Sequence, residues 1–359
     1  MPIGPDSESR EDIDTHRVVV IGGGPAGCAA AMALAQIGLP VALLERDGPN
    51  RDKPCGDMFM PEAVAVIRRL GLSRHSLLSI GTSFNAVDLL GPQGLLRKIA
   101  YPNEPVWILP RRLIDQALRD CLPPNVSALY NICVNEVRGL SNTRLQVCAK
   151  VTAGRVINLR CEAVVLATGA QSSLPAKWGI AGAPIIAPAL SAYVHNHRFE
   201  TPSFEFLNAC RPGYRWLFPA VNDEANVGVC SLIAAKGSEL RKRGTHLLDA
   251  YHIPDGVHWR GGVGALWSGH GTRWHHDAGL VACGDTAGLA DPISGEGLTA
   301  ALTSGWAAGT AVANFLTYKR DLSWLKNYTN RVKATFDVVY AMSPIRTAWT
   351  KLACSGNLL

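Results

Sequence analysis

Val18-Val19-Val20-Ile21-Gly22-Gly23-Gly24-Pro25-Ala26-Gly27 opens the first strongly patterned segment of the chain, and Glu45 lies 21 residues beyond Gly24. Four consecutive apolar residues read as a strand buried on both faces, as in a parallel sheet. Glycines follow directly. Cys28-Ala29-Ala30-Ala31-Met32-Ala33-Leu34-Ala35 then reads as a small-residue helix ending at Gly38. Val41-Ala42-Leu43-Leu44 reads as a second strand, closed by Glu45. Strand, turn, helix and strand within about 30 residues make one βαβ unit. Gly22, Gly24 and Gly27 fit the G-x-G-x-x-G spacing of a dinucleotide-binding turn. The first permits the tight turn, the second lets a pyrophosphate approach the backbone, and the third lets helix and strand pack closely. Pro25 and Ala26 stand at the helix N-terminus, whose free N–H groups and partial positive charge suit phosphates. Glu45 can accept from both ribose hydroxyls and would repel a 2′-phosphate. The expected nucleotide is therefore FAD or NAD rather than NADP, with Arg46 as a neighbouring contact.

A second cluster far downstream favours FAD. Gly279-Leu280-Val281-Ala282-Cys283 reads as another buried strand, ended by Gly284-Asp285. Asp291-Pro292-Ile293-Ser294-Gly295-Glu296-Gly297 then precedes a long helix, Leu298 to Leu316. A short NAD site has no use for so late a return. The longer FAD needs an acceptor for its ribityl chain, where Asp285 can stand, and backbone able to approach its ring, which Gly295 and Gly297 supply.

The rest of the 359-residue chain is consistent with a large α/β enzyme. Hydrophobic residues make up 47% and charged residues 18%, which excludes a disordered or fibrous chain. The net charge is +6. Residues 1–16 carry five acids against Arg10, so the remainder holds 34 basic and 24 acidic groups. No long basic run or aromatic–basic stripe argues for nucleic acid. Ten cysteines are scattered with no CxxC pair, which reads as reduced thiols and a cytoplasmic setting. No run of about 18 apolar residues predicts a spanning helix, although a peripheral membrane contact stays open. His195 and His197 share a strand face without a third ligand nearby, so no metal is expected.

Pro61 to Leu70 and Arg111 to Cys121 read as helices. Ala163 to Ala167 reads as a buried strand ending at Thr168-Gly169. Residues 185–270 read as short strands with few helical signals. The expected architecture is an α/β, Rossmann-like FAD-binding domain of the glutathione-reductase type, with an inserted antiparallel-sheet substrate domain and a short C-terminal helical tail. The boundaries place a loose tail at 1–16. The FAD-binding domain is discontinuous over 17–80, 105–182 and 271–320. The substrate domain takes 81–104 and 183–270, and C-terminal helices take 321–359.

Gly22 to Gly27, Glu45, Thr168-Gly169 and Gly284-Asp285 together resemble FAD oxidoreductases of the p-hydroxybenzoate hydroxylase fold. Within that class the chain is similar to the geranylgeranyl reductase family over about residues 17–320. Three stretches carry the likeness: Lys53-Pro54-Cys55-Gly56-Asp57, Pro212-Gly213-Tyr214-Arg215-Trp216-Leu217-Phe218-Pro219, and Gly284-Asp285 through Gly297. The resemblance implies that Arg111 lies near the FAD phosphates and that Val134 makes a backbone contact to adenine. It further implies that Cys55 sits beside the flavin, and that Tyr214, Trp216, Phe218 and Pro219 wall the substrate cavity.

The chemistry expected of such a protein is electron transfer through FAD to an apolar or aromatic substrate, with the protein supplying placement and electrostatics. No second βαβ fingerprint is present, so NAD(P)H would visit transiently. Cys55 is the leading catalytic residue, as a proton donor or a holder of substrate, with Asp57 as its orienter. Three classes remain open at this level. One is a reductase of unsaturated substrates. Another is a monooxygenase hydroxylating an aromatic, tryptophan-like or protein-bound. The last is an FAD-binding assembly factor without turnover.

Overall fold

The computed structural model describes residues 11–342 apart from 14–15, 142, 153, 181–184, 208–209, 211 and 269–272. Its centre is a six-stranded sheet in the order 275–276, 280–282, 163–166, 18–21, 41–44, 126–129. The strands from Leu280–Ala282 to Val126–Leu129 pair in parallel. Val18–Ile21 lies in the middle, and all four of its residues are buried, which explains its unbroken apolar run.

Helices Pro25–Ala35 and Leu298–Thr317 cover one face. They touch backbone to backbone: a Cβ on Gly305 would stand 2.2 Å from Ala26 O, and one on Gly309 2.3 Å from Ala30 O. The alanines of the first helix are thus explained by packing, because larger side chains would push the second helix away. On the other side lies a four-stranded sheet, ordered 11–13, 156–161, 144–151, 132–141. Its apolar residues join the same core as the central sheet.

A seven-stranded sheet forms the other half, in the order 260–266, 185–195, 224–231, 213–219, 203–205, 86–91, 94–100. It unites the two segments that the sequence assigns to substrate. Its pairings are antiparallel except for Ser203–Glu205 with Ala86–Gly91, which run parallel. The remaining small sheet pairs Met58–Phe59 and Thr82–Phe84 with Val106–Ile108.

The structure differs from the expectations in three places. Glu11–Ile13, within the stretch read as a loose tail, forms a strand parallel to Ile157–Leu159; residues 1–10 and 14–15 lie outside the described residues. Gly237–Ala250 is a helix where mostly strands were expected. Two glycines disguise it, and Gly244 is required because a Cβ there would meet Trp259 Cζ2 at 2.9 Å. Arg74–Ile80 is a further helix, capped by the Ser73 hydroxyl, which accepts from Ser76 N at 3.1 Å. The C-terminal helix Ser323–Met342 folds back on the central sheet, with Tyr328 Oη donating to Ala282 O at 2.7 Å. Residues 343–359 of the expected tail lie outside the described residues. Among the described residues no helix is long and apolar enough to cross a membrane.

Candidate active site

A cavity of about 720 Å³ runs between the central sheet and the seven-stranded sheet. At one end stand Glu45, Ile132 and Val134; Gly22, Gly24 and Arg51 come next, followed by Thr168, Gly169, Lys53 and Asp285. At the far end Cys55, Tyr214, Trp216 and Phe218 face Gly295, Glu296 and Gly297. Contacts link these groups in turn, Glu45 to Gly23, Arg51 to Gly24, Lys53 to Asp285, Asp285 to Gly297 and Gly295 to Tyr214, and the succession suits adenosine, pyrophosphate, ribityl chain and ring.

Three observations show that the residues fit FAD. Gly22 has φ +109°, and a Cβ there would stand 2.2 Å from Ala167 O. The first helix has no side-chain cap at Gly24, so its leading N–H groups are left for a ligand. Arg51 Nη1 is buried without a hydrogen bond, 3.6 Å from Asp115 Oδ2, and lies 3.2 Å from where a Cβ on Gly24 would be. An anion at the helix terminus would satisfy both. Glu45 accepts from Gly23 N at 2.6 Å and Asp47 N at 2.9 Å. The carboxylate thereby holds the loop and keeps lone pairs for ribose hydroxyls.

Arg51 had no sequence signal, being one of several charges in a loop. Removing its guanidinium by Arg51→Met should weaken FAD binding about 10- to 100-fold, the worth of a charge-assisted hydrogen bond. Titrating apoprotein by flavin fluorescence quenching checks this. Arg111 reaches the cavity, but its guanidinium grips Asp115 through two bonds of 2.7 Å. Arg46 is exposed at the rim beside Asp47.

Gly27 and Gly284 do not line the cavity; they let it form. A Cβ on Gly27 would lie 1.7 Å from Gly22 O. Gly284, at φ +59°, donates its N–H to Ser304 Oγ at 2.9 Å. Thr168 and Gly169 are fastened to the return segment, Gly169 N donating to Thr286 Oγ1 at 2.8 Å. Asp285 Oδ2 takes the Lys53 ammonium at 3.0 Å.

Tyr214, Trp216 and Phe218 line the cavity as expected, but Pro219 does not. Alternate residues of a strand face opposite sides, so Pro219 falls on the other face with Arg215 and Leu217. The rings of the aromatic row are tilted to one another, Tyr214–Trp216 and Trp216–Phe218 both at 6.3 Å between centroids. Gly56 lies flat against it: a Cβ there would stand 2.9 Å from Phe218 Cε2.

Residues 51–57 form a strap bridging the two halves. Asp52 pairs with Arg260, and Lys53 with Asp285. Cys55 O accepts from Asn226 Nδ2 at 2.8 Å. Asp57 is buried at φ +65°. It accepts from Arg111 N at 3.2 Å, Asn226 Nδ2 at 2.7 Å and the Tyr193 hydroxyl. Burial pushes its carboxyl up to about 6 in spite of these donors. Asn226 also accepts from Trp216 Nε1 at 2.9 Å. Asp57 therefore orients: its oxygens hold the strap to the sheet. Sequence reasoning missed Asn226 and Tyr193, which no motif marks.

Burial pushes the Cys55 thiol up, with partial relief from the Arg111 guanidinium. At neutral pH Cys55 is a protonated thiol, a holder of a proton rather than a thiolate nucleophile. Among the described residues no two cysteines are joined by a disulfide. His195 pairs with Glu224 at 3.1 Å, and His197 Nδ1 contacts His195 O at 2.9 Å.

A nucleotide cradle continuous with an aromatic-walled chamber is the plan of an FAD-dependent oxidoreductase. The chain belongs to the pyridine nucleotide-disulphide oxidoreductase family, whose model matches residues 16–203. It is 28% identical over 313 residues to a menaquinone reductase of Mycolicibacterium smegmatis, covering 80% of this chain and 74% of that one. It is also 28% identical over 324 residues to a geranylgeranyl diphosphate reductase of Rhodobacter capsulatus, covering 83% and 75%. Among solved structures, a geranylgeranyl bacteriochlorophyll reductase-like protein of Thermoplasma acidophilum superposes with a TM-score of 0.78 at 22% identity, covering 95% of this chain and 88% of that one.

Proposed function

We propose that the protein saturates a carbon–carbon double bond in an apolar, isoprenoid-type substrate, with NAD(P)H as the transient electron donor. The carrying observation is the placement of the Cys55 thiol in the same cavity as the aromatic wall of Tyr214, Trp216 and Phe218. Bound FAD would supply the hydride. The aromatic row excludes water and offers flat apolar surface to a planar alkene. Cys55 Sγ holds the proton that the neighbouring carbon needs. The Asp57–Asn226 network keeps that sulfur in place through the Cys55 carbonyl. Menaquinone and geranylgeranyl diphosphate, named in two relatives, both carry polyisoprenoid chains, which supports this substrate class.

The test is anaerobic incubation with NADPH or NADH and either isoprenoid, followed by mass spectrometry. The product should gain the mass of two hydrogens. Cys55→Ala should retain FAD and lose at least about 100-fold in turnover, the usual worth of a general acid. Full activity in that variant, or oxygen consumption yielding a hydroxylated product, would overturn the reading; the latter would favour a monooxygenase.

A further inference from the structure

The cavity holds one more acid that the proposed reaction leaves unused. Glu296 stands at the ring end, on the loop leading into the helix Leu298–Thr317. Its backbone is pinned on both sides. Gly295 has φ +68°, and a Cβ on it would stand 3.1 Å from Tyr214 Oη; one on Gly297 would stand 3.2 Å from Ala290 Cβ. Asp291 braces the loop from within, its Oδ1 accepting from Ile293 N at 2.7 Å and Ser294 N at 2.8 Å. Tyr214 Oη donates to Ser294 O from the facing sheet.

Glu296 Oε1 accepts from Thr299 N at 2.8 Å, tying it to the helix terminus. The Leu298 N–H and the Thr299 side chain also favour its charged form. The other cavity acids are committed: Glu45 to two backbone N–H groups, Asp47 to Arg46 and Arg51, Asp57 to three donors, Asp52 to Arg260, and Asp285 to Lys53. The charged and titratable groups around Glu296 are Asp291 on its own loop, Asp285 with its partner Lys53, Tyr214 on the aromatic strand and the Cys55 thiol on the strap. The helix brings no charged group, only the Leu298 N–H and Thr299. None of these is an unshared cation.

We propose that Glu296 binds a proton from solvent when the flavin is reduced and releases it on reoxidation, acting as the proton-coupling residue of the site. Bound flavin that accepted a hydride would gain two electrons and one proton and hence a net negative charge. A carboxylate at the same end of a low-dielectric cavity is then repelled. The positive end of the helix favours the carboxylate while the ring is neutral; the added negative charge tips that balance. The Glu296 carboxylate takes one proton, so two electrons and two protons enter together. Burial already pushes the carboxyl up to about 7 before any ring charge is added. Proton uptake is therefore expected above about pH 7, because below it the carboxyl is protonated in both redox states.

The inference rests on FAD in the cavity and not on the substrate. It is tested by spectroelectrochemical titration of the holoprotein between pH 6 and 9 without substrate. The midpoint potential of the wild type should fall about twice as steeply with pH above 7 as below it. Glu296→Gln, which keeps an oxygen for Thr299 N, should bind FAD and show the shallow one-proton slope throughout. A wild-type slope that stays shallow, or a variant slope equal to the wild type, would overturn the proposal. Should the variant bind no flavin, proton uptake by the wild type in weak buffer at pH 8 decides. More than one proton per two electrons supports coupling, and one proton refutes it.

Discussion

Gly27→Ala should yield a protein that keeps no flavin and melts far below the wild type. The added methyl would stand 1.7 Å from Gly22 O and 3.0 Å from Gly22 C, both backbone atoms of the phosphate turn. No flexible side chain is there to move aside. Either the helix must lift from the strand or the turn must open, and both destroy the cradle. Overpacking of well-filled sites costs roughly 1–3 kcal/mol even where side chains can give, so a loss of at least about 3 kcal/mol is expected. The visible spectrum after purification and a thermal melt read the result. Gly48→Ala is the control, since a Cβ there meets only Asn131 Oδ1 at an ordinary 3.7 Å. A yellow, normally stable Gly27→Ala protein would contradict the close packing of strand and helix.

Asp57→Ala should release the strap. It leaves the Tyr193 hydroxyl, the Asn226 amide and the Arg111 N–H without their shared acceptor. Each orphaned buried donor costs roughly 1–3 kcal/mol, so the total loss is expected to exceed about 3 kcal/mol, read as a shift in the urea midpoint. Turnover should fall at least about 100-fold, because a displacement of Cys55 by about an ångström is enough for that. Asp57→Asn separates charge from shape and adds a pH signature. Folding raises this carboxyl from 3.8 to about 6, so ionising it costs the folded state more than the unfolded one. Its favourable contribution is complete below about pH 4 and is lost as pH rises through 6. Wild-type stability should therefore carry a decline over that window that Asp57→Asn lacks. Identical pH profiles would place the titration elsewhere.

The strap also accounts for how the two halves act as one enzyme. Arg51 stands beside the phosphate turn, Lys53 reaches Asp285, and Cys55 and Asp57 are held by the substrate sheet. Seven consecutive residues thus join the nucleotide cradle to the reaction chamber. Displacing the nucleotide end is expected to be felt at the thiol, which lies only four residues along the same chain.

The nucleotide fold was legible in the sequence because its determinants are local. An unbroken apolar strand, glycines at fixed spacing, a helix of small residues and an acid after the next strand all fall between Val18 and Glu45, and each acts through backbone conformation or near-neighbour packing. The return at Gly284-Asp285 was legible for the same reason, whereas the aromatic row Tyr214, Trp216 and Phe218 was expected only from the family resemblance. Pro219 was misplaced only because strand alternation turns it to the far face. The tertiary structure alone decided what holds Cys55. Asp57 meets Tyr193 and Asn226 across 136 and 169 residues of chain, and Lys53 meets Asp285 across 232. Nothing in the spacing of a sequence encodes such pairings. They exist because two sheets close on one cavity, and a carboxylate buried between them must find its donors wherever the packing brings them.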